Sequence, residues 1–192
     1  MTKHYSGIGF YLSKSGRERI DYIYEHYADY ESISKSYRNT LESLIAGARI
    51  YERRKRDDLG VRIKSGNGLN DVTSAMAIEN HEISRGIDKG SLPAGMIRDK
   101  GEEARLNLGI YEMQVMKREY DIFNAAIMNL KGNEMSVFLA YIRREKSIKD
   151  ISEEEGIEKD SAVKRIYRIK MKLVRWLADD FREYEFNRIK AG

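Results

Sequence analysis

The stretch LKGNEMSVFLAYIRREKSIKDISEEEGIEKDSAVKRIYRIKMKL, from Leu130 to Leu173, reads as a short helix, a second short helix, a tight turn at Gly156 and a long basic helix. Lys131-Gly132 ends a preceding helix, and Asn133 is a favourable N-cap for the next, whose apolar face is Val137, Phe138 and Tyr141. Ser147 opens the second helix, with Asp150 three positions on as the acidic half of a capping box. Gly156 supplies a left-handed turn, and Ile157 behind it plugs that turn into the core. In the long helix Val163, Ile166, Tyr167 and Met171 recur at helical spacing as an inward stripe, which leaves Lys164, Arg165 and Arg168 outward.

The same periodicity recurs upstream. Residues 1–14 read as a loose lead-in. Ile20, Ile23, Tyr24 and Tyr27 then mark one helix from Ser15 onward, and Ile33, Tyr37, Leu41, Leu44, Ala48 and Tyr51 mark a second. These two helices pair as a hairpin, or one of them supplies a dimer seam. Arg53, Arg54, Lys55 and Arg56 close the second helix, where cations complement the helix dipole or form a phosphate-binding or localisation patch. Periodicity lapses between Leu59 and Asp71: Val61-Arg62-Ile63-Lys64 alternates like an extended segment, and Gly66-Asn67-Gly68 is turn chemistry. Asp71 can cap a helix reaching about Ile87, with Met76, Ile83 and Ile87 along one side. Gly90, Pro93 and Gly95 make a second break. A long helix follows from near Glu102 to about Leu130, with Leu108, Tyr111, Val115, Ile122 and Ile127 among its apolar positions and Gly109 at a kink or a close contact. The expected fold is all-α: a helical region over residues 1–100 with long amphipathic helices, then a helix-turn-helix domain with a long leading helix over residues 101–192.

Composition narrows the chemistry. The 192 residues include one proline and no cysteine, which excludes a disulfide framework and a thiolate metal site. No apolar run nears the roughly 20 residues that cross a bilayer, and MTKHYSGIGFYLSKSG lacks a signal-peptide core, so an intracellular protein is expected. His4, His26 and His81 have no convergent partners nominated by the sequence. Gly7-Ile8-Gly9 and Gly66-Asn67-Gly68 lack the strand–loop–helix setting and the lysine of a phosphate loop, and no nucleophile motif occurs. Neither catalysis nor a cofactor or metal is expected.

The net charge of +4 is mild, so its placement decides. Lys159, Lys164, Arg165, Arg168, Lys170, Lys172 and Arg175 share the last helix with one acid, Asp160, up to Arg175. A helix-turn-helix presents the first turns of its last helix to the major groove. Lys159, Asp160, Ser161, Lys164 and Arg165 would meet base edges and phosphates there; Arg168 and Lys172 would reach the backbone, and Lys149 on the preceding helix belongs to the same candidate set. A solvated basic face on a three-helix bundle is the plainer alternative. The acidic run Glu153-Glu154-Glu155 argues against it, because separating acid and base onto adjacent helices has no evident packing purpose.

At these residues the chain resembles region 4 of the sigma-70 class and the related helix-turn-helix domains of phage late transcription activators. The matching features are Leu130, Ser147-Ile148-Lys149-Asp150-Ile151, Gly156-Ile157 and Ser161-Ala162-Val163-Lys164-Arg165-Ile166 ending at Leu173. The segment Gly60–Ile83, with VRIKSGNGLNDVTSAMAIENHEI, is similar in flavour to the ArpU and RinA group of phage regulators. Glu158 stands where serine, threonine or aspartate more often caps the recognition helix. The resemblance implies promoter recognition by the last helix, contact with RNA polymerase, and action on double-stranded DNA at the nucleoid of a bacterial cytoplasm. Residues 1–100 would then serve oligomerisation or polymerase contact. No stretch matches the sigma region that melts the −10 element, which favours an activator over a sigma-like factor that directs core polymerase itself. A small-terminase-like packaging protein and a helical adaptor docking an acidic partner are the remaining alternatives.

Overall fold

The computed structural model describes the backbone of residues 7–58 and 72–190, with side chains over 7–55 and 77–181. The expectations for Val61–Lys64, Gly66-Asn67-Gly68, Asp71, Met76, His4 and the Arg56 side chain fall outside these residues. Every regular element among them is helical, so the protein is all-α. The order is α1 (Gly16–His26), a single 3-10 turn (Tyr27–Asp29), α2 (Tyr30–Asp58), α3 (Val72–Lys89), α4 (Lys100–Met128), α5 (Asn133–Ile142), α6 (Ile148–Glu155) and α7 (Lys159–Lys190). Contacts group the chain into two compact units, residues 1–9 with 34–115 and residues 10–33 with 116–192. The units are thus interleaved in sequence, whereas the sequence pattern divides once, at residue 100.

In the first unit the α2 row Tyr37, Leu41 and Ile45 is buried, together with Ile83, Ile87, Leu106 and Ile110. Gly109 permits a close contact: a Cβ there would lie 2.6 Å from Leu41 Cδ2. The Tyr37 hydroxyl donates to Glu112 at 2.6 Å, and the Gly9 N–H donates to the same carboxylate at 2.7 Å. Arg38 joins α2 to α3 through Asp88 (2.6 Å) and Ser84 Oγ (2.7 Å). Pro93 and the glycines beside it separate α3 from α4, as their turn chemistry requires.

Two apolar stripes differ from the sequence pattern. Leu44 and Tyr51 are exposed and Ile45 is buried instead, because the inward row of α2 runs at four-residue steps from Tyr37. Leu44, Ala48 and Tyr51 line an open groove of about 710 Å³ on this unit. On α4, Val115 and Ile127 are buried as expected, but Leu108 and Tyr111 are exposed and Leu106, Ile110, Met113 and Phe123 point inward. The middle of α4 is buried on more than one side, Glu112 and Glu119 included, so no single stripe describes it.

In the second unit α1 packs along α7 rather than forming the expected hairpin with α2. A capping box fixes its start: the Ser15 N–H donates to Glu18 at 2.8 Å, while Ser15 Oγ accepts from the Glu18 N–H. Residues 7–14 are not a loose lead-in. Tyr11 is fully buried and its hydroxyl donates to Glu119 at 2.6 Å. Arg19, also buried, donates from Nε to both Glu119 oxygens (3.1 Å each), from Nη1 to the Lys14 carbonyl (2.8 Å) and from Nη2 to the Phe181 carbonyl (2.5 Å). Burial pushes the Glu119 carboxyl up to about 7, against the pull of the Tyr11 hydroxyl and the Arg19 guanidinium. Tyr30 stacks on Tyr120, with ring centroids 4.5 Å apart and nearly parallel.

Removing one partner of a buried ion pair leaves the other uncompensated. Arg19→Met is therefore expected to cost roughly 3–5 kcal/mol in denaturant unfolding followed by circular dichroism. Adding Glu119→Leu to that variant should recover part of the loss, since the orphaned carboxylate is gone.

Candidate nucleic-acid interface

The helices that carry the candidate residues are set by local chemistry. Gly132, with φ 50° and ψ −125°, caps α5, so Asn133 is the first helical residue and not the cap. Its side-chain amide instead donates to Glu155 at 2.6 Å. Ser147 and Asp150 form the expected capping box at α6: the Ser147 N–H donates to Asp150 at 2.8 Å, and Ser147 Oγ accepts from the Asp150 N–H. These Ser147 donors hold the Asp150 carboxyl below its ordinary range. Gly156 is left-handed (φ 63°, ψ 32°). The Ile157 N–H returns to the Ser152 carbonyl at 3.0 Å, the wide bond of a Schellman turn. Glu158 starts α7 through its carbonyl, which accepts from the Ser161 and Ala162 N–H groups.

The inward row of α7 is Ala162, Ile166, Ile169, Leu173, Leu177 and Phe181. Of the stripe expected from sequence only Ile166 is buried. Met171 is half-buried, and Val163 and Tyr167 are 47% and 60% exposed. The row begins at the small residue Ala162, one position before Val163, and one position rotates a helical face by about 100°.

Lys159, Asp160, Ser161, Lys164 and Arg168 are all exposed on the first three turns of α7, and the exposed Arg175 follows on the side of Lys164 and Arg168. Lys159, Lys164 and Arg175 make no ion pair among the described residues, and Arg168 donates to the Lys164 carbonyl at 3.3 Å. The other three candidates are held by acids. Arg165 pairs with Glu155, Lys172 lies 2.7 Å from Glu134, and Lys149 lies 3.6 Å from Glu153. Lys170 turns away from this face, 2.7 Å from Asp21 and 4.3 Å above the Tyr24 ring. One acid of the α6 run, Glu155, therefore does have a packing purpose, contrary to the sequence argument, while Glu153 and Glu154 pair locally with Lys149 and Lys146. Glu155 ties α6 to α5 and α7, and its carboxyl is held below the ordinary range by Asn133 and then Arg165.

Two cations were not in the candidate set. Arg175 continues the spacing of Lys164 and Arg168 and was legible as such. Arg17 reaches the same side from α1, with Nη2 3.6 Å from Met171 Sδ, and no local signal announces a contact between residues so far apart in sequence. No protein-family model matches the chain, and no curated protein or solved structure matches it. Among the described residues no group of three or more histidines and acids is placed to hold a metal ion, and no helix is long and apolar enough to cross a membrane.

A Cβ at Gly156 would meet nothing within 4 Å, so replacing this glycine tests backbone conformation alone. Gly156→Ala should lower unfolding stability by about 1–2 kcal/mol, the cost of a left-handed alanine, and Gly156→Asn by less.

Proposed function

We propose that this chain is a sequence-specific DNA-binding regulator of transcription. In this reading the first turns of α7 enter the major groove, and the protein activates phage or prophage late promoters together with RNA polymerase. One observation carries the reading. Ser161, Lys164, Arg168 and Arg175 share an exposed face of α7 on which, among the described residues, Lys164 and Arg175 have no acidic partner, while Glu134, Glu153 and Glu155 are paired with other cations. A capped short helix and a left-handed glycine turn lead into that face, the order of parts by which a helix-turn-helix presents its recognition helix.

Lys164 and Arg168 would bind phosphates, and Ser161 and Asp160 would lie nearest the base edges. Arg165 and Lys172 take a lesser part here, since binding DNA with them means breaking the pairs with Glu155 and Glu134. The open apolar groove along Leu44, Ala48 and Tyr51 supports self-association by the first unit.

Fluorescence anisotropy with duplexes drawn from the DNA upstream of its own gene tests this reading. Binding should weaken steeply with salt. Lys164→Ala and Arg168→Ala should each weaken it across sequences and flatten the salt slope by about 1. Salt-insensitive binding, or none, contradicts the proposal. Transcription that needs a resident sigma factor supports an activator; transcription with core polymerase alone assigns a sigma-like role.

A further inference from the structure

We propose that Val163 and Tyr167 form an apolar reading patch that selects thymine methyl groups in the major groove. The inference rests on the reading of α7 as a recognition helix and deepens it. Among the described residues most large apolar side chains of α7 are inward, as Ile166, Ile169 and Leu173 are, and three are exposed: Val163, Tyr167 and, further along, Trp176 at 44%, with Lys172 Nζ 5.2 Å from its ring centre. Val163 and Tyr167 are the two on the first turns of the helix: 47% and 60% exposed, four residues apart, and therefore neighbours on one side of it. They flank Lys164 and Arg168 directly in sequence and lie on the same turns as those exposed cations.

An apolar pair beside phosphate-seeking cations has one apolar counterpart in the major groove, the C5-methyl of thymine. Amide and guanidinium readers select guanine or adenine through hydrogen bonds; a valine methyl cannot donate or accept and gains only by covering another methyl. Four residues of helix span about 6 Å. That separation is close to two base-pair steps of roughly 3.4 Å, so the patch should read two thymines about two steps apart. The polar selectivity would come from Ser161 and Asp160 nearby on the same turns.

The test uses the full-length protein. Duplexes with a randomised core are enriched on it, and the best duplex is remade with each thymine in turn replaced by deoxyuridine, which removes only the methyl group. At one or two positions the replacement should weaken wild-type binding roughly fourfold, the worth of one buried methyl. Val163→Ala should lose that sensitivity at one position and Tyr167→Ala at the other, with both variants keeping the wild-type salt slope. Unchanged affinity at every deoxyuridine overturns the proposal. So does undiminished methyl sensitivity in both variants, which would place methyl reading elsewhere. If no duplex is enriched and none binds with salt sensitivity, the recognition-helix reading itself fails, an outcome distinct from either of these.

Discussion

A guanidinium inside a helical unit has to be satisfied in every direction, and Arg19 imposes that condition on the second unit. Its donors reach Glu119 on α4, the Lys14 carbonyl before α1 and the Phe181 carbonyl on α7, while Tyr11 closes the other side of the same carboxylate. Three segments distant in sequence, residues 11–19, α4 and α7, are thereby held to one point. A buried ion pair contributes little net stability compared with apolar packing, but its donors have fixed directions, so it restricts how the segments can be arranged. Once Phe181 is tied to Arg19 and Gly16 abuts it, the inward face of α7 has to include Phe181. The row from Ala162 to Phe181 follows, and the opposite side, with Lys164, Arg168 and Arg175, is left to solvent.

Charge is sorted on α7 by the same geometry. Cations on its flanks find acids on neighbouring helices: Arg165 finds Glu155, Lys172 finds Glu134 and Lys170 finds Asp21. Lys164 and Arg175 at the crest make no ion pair among the described residues. The helix thus carries its excess charge where an extended polyanion can approach, and the flanking pairs hold α5, α6 and α1 around it. A helix with the same composition but a rotated inward row would have presented paired residues instead.

The all-α class was legible, because one proline and long 3.6-residue periodicities leave few other choices. The α6 capping box and the Gly156 turn were legible for a stronger reason: both are local, and residues within five positions decide them. Faces were harder. Val163 and Tyr167 look like core by hydrophobicity, and only the packing of Ala162 and Phe181 shows that the row lies one position earlier. The first residues read as loose because Tyr11 draws its order from Glu119, more than a hundred positions away. Glu155 showed no packing purpose in the sequence for the same reason: its partners Asn133 and Arg165 belong to other helices.

The central claim is that the first turns of α7 lie in the groove of bound DNA. The chain has no cysteine, so a single one can be introduced and labelled without background. An iron–EDTA cleavage reagent attached at Ser161→Cys, and separately at an exposed position of the first unit such as Ser91→Cys, maps which surface touches the duplex. The account predicts a discrete cluster of strand cuts within the bound site from position 161 and no comparable cluster from position 91. Scattered or absent cutting from position 161, on DNA that the labelled protein demonstrably binds, would contradict it.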